Sequence, residues 1–154
     1  MVCPPELTGS RRRTYHTLRP RSFYAAAMAG PLIFIATNRL KPDALDAERS
    51  RVPELVSFVE REEPQVIGFN EYVSDAGDEV TVVQIHPDAA SIEKHIGVVA
   101  DHARRAYEET LDRTVRIQVF GELPESIVAS LREQASAGVE IVFNSEHLGG
   151  FLRP

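Results

Sequence analysis

The sequence contains no tryptophan, and its one cysteine is Cys3. A single thiol excludes an intrachain disulfide and a thiolate-rich metal site, and it fits a reducing, cytoplasmic setting. No stretch approaches the roughly 20 apolar residues that a bilayer-spanning helix needs, so no membrane partner is expected. The motifs G-x-G-x-x-G, G-x-x-x-x-G-K-[ST], H-E-x-x-H and G-x-S-x-G are also absent. Nucleotide-driven, zinc-protease and serine-hydrolase mechanisms are therefore poorly supported.

What is present is ordinary globular material. The 154 residues fit one domain, and 43% hydrophobic with 26% charged residues allows a sizeable core. The net charge of −6 is unevenly placed. Arg11, Arg12, Arg13, Arg19 and Arg21 stand against Glu6 alone in residues 1–30, so the remainder is strongly acidic. An acidic body argues against nucleic acid and against an anionic membrane surface as partners.

Residues 1–30 form a basic extension with no periodicity over 1–22, and disorder is expected. The triple arginine before FYAAAMAGPLIFIA superficially resembles an export signal, but Gly30-Pro31 interrupts the apolar stretch. A basic arm that binds a partner is a second alternative. The simplest is a nonessential extension, with Met28 as a natural start.

Residues 31–120 carry alternating strand and helix patterns. Leu32–Asn38, Val66–Val73, Glu79–His86 and Thr114–Phe120 read as strands. Residues 44–62 read as an amphipathic helix, with Asp43 as N-cap. Pro53 should kink it near residues 49–53 or split it in two, the second part capped by Ser50. Pro87-Asp88 opens another helix whose buried stripe is Ile92, Ile96, Val99, Ala103 and Tyr107. The order is α+β, a ferredoxin-like βαββαβ unit with an antiparallel sheet. Residues 121–154 add a C-terminal helix-strand extension of the same domain, with a helix over 124–137, a stop at Gly138 and an edge strand at Glu140–Asn144.

Ile33, Phe34 and Ile35 run consecutively, as do Val82 and Val83. Apolar residues on both faces of a strand mean that both faces are covered. Helices can cover one face. The other predicts a second copy packed sheet to sheet as a homodimer, unless the third helix wraps around to cover it.

The run Thr37-Asn38-Arg39-Leu40-Lys41-Pro42, the pair Glu71-Tyr72, and Val82 through His95 together resemble the dimeric α/β-barrel superfamily. Within it the resemblance is to the antibiotic-biosynthesis and quinol monooxygenase-like proteins. It covers about residues 31–120, and 121–154 resemble an extension found on some uncharacterised bacterial members. The resemblance implies a homodimer with a pocket between sheet and helices in each subunit. Some relatives oxidise polycyclic phenols with O₂ and no cofactor. Others degrade heme, using an Asn near the end of the first strand and a Trp and a His on the second long helix. Asn38 matches that Asn, His95 stands at the Trp position, and His102 lies off register from the His.

The candidate residues follow from this. His95 and His102, seven apart on one helix, would differ by about 20° in direction, and each can be a general base, an axial heme ligand or a boundary histidine. At roughly 10 Å along the axis they cannot share a metal ion, and no metal site is expected. Asn38 can orient a substrate oxygen or cap a turn. Gln84 and His86 share a strand face, and His86 can also serve as an N-cap. Tyr72 can hydrogen-bond a substrate or sit in the core. Glu60, Glu62 and Glu63 read as a solvated helix end, and His147 as a tail residue able to close over a pocket. The functions implied are a cofactor-independent monooxygenase or isomerase acting on a small aromatic or polyketide-like molecule, a noncatalytic ligand-binding or dimeric interaction module, and a heme-degrading enzyme. His95 and Asn38 would be catalytic in the first. Tyr72, Gln84, His86 and His102 would bind substrate.

Overall fold

The computed structural model describes residues 30–152; the readings made for residues 1–29 lie outside them. Five strands form one sheet: β1 (Leu32–Leu40), β2 (Gly68–Val73), β3 (Glu79–His86), β4 (Leu111–Phe120) and β5 (Glu140–Asn144). Their order across the sheet is β2-β3-β1-β4-β5. The first four pair antiparallel, and β5 joins β4 in parallel at the edge. This is the ferredoxin-like arrangement with one strand added.

The helices are α1 (Leu45–Glu62), α2 (Ala89–Val98), α3 (Ala100–Glu109) and α4 (Glu125–Ser136). Several expectations about them are corrected. α1 runs unbroken through Pro53, which sits on its exposed side; Ser50 is not a cap, and its Oγ donates back to the Asp46 carbonyl at 2.9 Å. The expected break appears instead in the second helical stretch, at Val99 between α2 and α3. Gly97, Val98 and Val99 are adjacent poor helix formers, and the chain bends where their propensity is lowest. Asp43 does not cap α1. It lies at φ 60° in the preceding turn, and Ala44 holds the cap position. Asp88 caps α2 by accepting from Ser91 N–H at 2.9 Å, so the capping role considered for His86 belongs to Asp88. Gly138, at φ 98°, ends α4 in the left-handed region that glycine enters without strain.

Register sorts the side chains. Phe34 lies opposite Gln84 and Val119, and Ala36 opposite Val82 and Ile117. These residues face the helices, because Phe34, Ala36, Val82, Gln84 and Ile117 line one cavity with residues of all four helices. α4 therefore lies on the same side as the other three, and the alternative in which it wraps round to the second face does not hold. Ile33, Ile35, Val83 and Ile85 point the other way. They are half-buried, and Tyr72 beside them is 60% exposed. No described element covers that face.

The core on the helix side is divided. Leu40, Val80, Ala106 and Leu111 form one cluster; Ile117, Val119 and Leu131 form another. Members of both reach the cavity.

Candidate functional site

Between the sheet and the helices lies a cavity of about 590 Å³. That is the size of a small-molecule site. Its walls are mainly apolar, from Phe34, Leu55, Phe69, Val82, Ile117 and Leu131, and its polar groups fall into three sets.

The first set is built on His95. α1 ends at Glu62 with Glu63 as its C-cap, because Pro64 cannot continue the helix. The Glu63 side chain turns inward rather than into solvent. It is 1% exposed, and its Oε2 accepts from His95 Nδ1 at 2.6 Å. In the neutral ring the proton then sits on Nδ1 and leaves the lone pair on Nε2. Nε2 is buried and has no hydrogen-bond partner among the described residues. The ring packs beside Phe69 at 5.7 Å and edge-on to His86 at 5.2 Å between centroids. His86 is wholly buried behind it and does not line the cavity. Its Nδ1 pairs with Ser91 Oγ at 2.9 Å and its Nε2 with Gln84 Oε1 at 3.3 Å. Burial, with His95 as a like charge when protonated, pushes the His86 pKa down to about 4. His86 is thus a neutral, hydrogen-bonded support that fixes Gln84.

The second set lies where the register of β1 against β4 shifts, between Thr37 and Asn38, with Val115 of β4 as the extra residue. Asn38 Oδ1 accepts from Tyr107 Oη at 3.0 Å and Thr114 Oγ1 at 2.9 Å. The carbonyl oxygen is committed within the protein. His102 lines the cavity too, stacked on Phe58 with centroids 4.4 Å apart. Since α2 and α3 are separate helices, His95 and His102 do not share one helical face as expected.

The third set is carboxyl-rich. Glu48, one turn into α1, is held by Arg51 at 2.8 and 2.5 Å and by Thr110 Oγ1 at 2.6 Å. Burial alone would raise its pKa, but these donors outweigh that cost and lower it. Glu71 of β2 lies beside Glu48 and stays 3.9 Å from Arg51 Nη2. Its side chain is 4% exposed, and neither carboxyl oxygen finds a donor among the described residues. Burial and the Glu48 charge raise its pKa to about 8. The shift favours a Glu71 that keeps its proton beside the Glu48 carboxylate.

Of the residues singled out from sequence, His95, Asn38, Gln84 and His102 line the cavity together. Tyr72 does not, since strand alternation sends Glu71 inward and Tyr72 to the open face. His147 does not close over the cavity either. Its ring lies against Gly30 at the start of β1, where a Cβ would fall 2.4 Å from its Cγ. Glu63, read as solvated, is buried. Sequence reasoning missed Glu48, Arg51, Glu63 and Glu71 as site residues. The clue for Glu48 was its place on the stripe that includes Leu55 and Val59, where a charge needs a partner. A heme fits this donor set poorly. Among the described residues Arg51 is the one lysine or arginine lining the cavity, and it is already bound to Glu48, so propionates would meet mostly carboxyl groups.

No protein-family model matches the sequence, and no curated protein matches it. Solved structures do. MupZ from Pseudomonas fluorescens is 18% identical, with a TM-score of 0.58 over 80% of this chain and 95% of that one. Rv0793 from Mycobacterium tuberculosis is 23% identical, with a TM-score of 0.52 over 62% and 97%. A protein described as an antibiotic biosynthesis monooxygenase is 20% identical, with a TM-score of 0.51 over 60% and 99%. The chain has the fold of the antibiotic biosynthesis monooxygenases. With MupZ the likeness to that fold extends further along the chain.

Proposed function

We propose that this protein is a small enzyme that removes a proton from an aromatic or polyketide-like molecule held in the cavity, with no bound cofactor. One observation carries the reading. The buried Glu63 carboxylate holds His95 Nδ1, and Nε2 has no partner among the described residues, in a side chain that lines a 590 Å³ cavity. A carboxylate-oriented imidazole with its second nitrogen unpaired is suited to general-base work. His95 takes the proton; the amide groups of Gln84 and Asn38 orient the substrate.

The resulting anion has two outcomes. Reprotonation at another atom gives an isomerase. Reaction with O₂ at a carbon that began as CH₂ gives a monooxygenase: one oxygen becomes a carbonyl, the other leaves as water, and the substrate supplies the electrons. The fold neighbour described as an antibiotic biosynthesis monooxygenase favours the second outcome. Oxygen uptake with anthrone, a tricyclic ketone with an acidic CH₂, tests it. Uptake by the wild type that falls at least tenfold in His95→Gln supports the reading; no uptake leaves isomerisation or noncatalytic ligand binding.

The proposal includes the assembly. The open face carries Ile33, Ile35, Val83 and Ile85 at the centre of the sheet, and a second copy meeting it would form the homodimer. Residues 31–120 would then be the dimerising unit, with 121–152 closing the cavity of each subunit. A cytoplasmic setting fits the single cysteine. No helix among the described residues is long and apolar enough to cross a membrane.

A further inference from the structure

Glu71 is a carboxyl that the protein buries without satisfying. The cost of an unpaired buried acceptor is substantial, and the donors beside Glu48 are committed to it. Arg51 makes both of its close contacts to Glu48 and leaves Glu71 at 3.9 Å, beyond hydrogen-bonding distance. Thr110 donates to Glu48 as well. We propose that Glu71 accepts a hydrogen bond from a hydroxyl group of the molecule in the cavity and thereby selects hydroxyl-bearing ligands. This rests on the reading of the cavity as a substrate site and adds the chemical class that it takes.

The geometry leaves acceptors free: neither Glu71 oxygen has a hydrogen-bond partner among the described residues, and Glu71 lines the cavity. The charges facing Glu71 come from α1: Glu48 and Arg51 cancel one another, and Glu109 acts only on Arg51. With Glu71 protonated this end of the cavity is neutral, so it suits a neutral O–H rather than an ammonium group. Position fits as well. Phe69 and Glu71 lie two residues apart on the same face of β2, about 7 Å, and the Phe69 ring is 5.7 Å from that of His95. A molecule of two or three fused rings with its hydroxyl on Glu71 can place its far edge near His95.

The test compares 2-naphthol, which donates a hydrogen bond, with 2-methoxynaphthalene, which has nearly the same shape and cannot. Both are titrated into the full chain at pH 7. The wild type should bind the naphthol about tenfold more tightly, the effect of one hydrogen bond. Glu71→Leu should bind the two alike, and Glu71→Gln, which keeps an acceptor oxygen, should retain part of the preference. Equal binding by the wild type, or a preference that survives in Glu71→Leu, overturns the assignment and leaves the cavity reading standing. Tighter binding of 2-naphthylmethylammonium than of 2-naphthol also overturns it. Binding of none of the probes overturns both.

Discussion

Glu63 and His95 meet at 2.6 Å, both almost fully buried, although 32 residues separate them. The contact ties the C-terminal end of α1 to the middle of α2 across β2 and β3. It therefore has a structural as well as a chemical role, and the two separate by substitution. Glu63→Ala leaves the His95 Nδ1–H without an acceptor in the interior, which should cost roughly 3 kcal/mol in urea unfolding. Glu63→Gln, which can still accept from Nδ1–H, should cost clearly less. Equal stability for the two variants would show that the contact does not hold the helices.

The pH dependence of stability carries the mark of Glu71. Its pKa in the folded protein, about 8, lies above the ordinary 4.5. The native state therefore holds a proton that the unfolded chain has released, and stability falls as pH rises from 4.5 to 8. Relative to Glu71→Gln, the wild type should lose on the order of a few kcal/mol across that window. Parallel pH profiles for the two proteins would show that Glu71 is ionised throughout.

His86 acts in the opposite direction. Its folded pKa of about 4 lies below 6.5, so its contribution is complete above pH 6.5 and is lost as pH falls toward 4. An NMR titration should find its ring neutral at pH 6, with a midpoint near 4. A midpoint near 6.5 would mean that the ring is solvated.

Much of this fold was legible in the chain. The alternation of strand and helix periods gave the βαββαβ order, and Gly138 and Asn144 mark the ends of the added helix and strand where expected. Helix continuity was misjudged in both directions. Pro53 lies on the exposed side of a helix that packing holds together, whereas Gly97 to Val99 give way without any proline. The site was less legible. His95, Asn38 and Gln84 stood out as residue types, but the partners that define their chemistry come from distant elements. Glu63 looks like one of a charged group at a helix end. Only the turn after Val59 and the approach of α2 bring it inside. Glu71 and Tyr72 show how a single position in strand parity decides which residue meets the cavity.

The open sheet face predicts the assembly. Val83→Glu places a charge at the centre of that face, opposite Ile35. Light scattering should give a mass near twice 17.1 kDa for the wild type and a folded single subunit for the variant. A wild-type mass near 17.1 kDa at micromolar concentration would contradict the proposed dimer.

The central claim is that His95 Nε2 removes a proton from a ligand in the cavity. The most direct measurement is anaerobic exchange of the CH₂ hydrogens of anthrone into D₂O, followed by mass spectrometry, since it reads proton removal without requiring oxygen. The wild type should accelerate exchange over buffer; His95→Gln should lose that acceleration at least tenfold while still binding anthrone, the usual size of a general-base contribution being 10²–10⁴. Exchange that proceeds equally fast in the wild type and in His95→Gln, or no faster than buffer in either, would contradict the account.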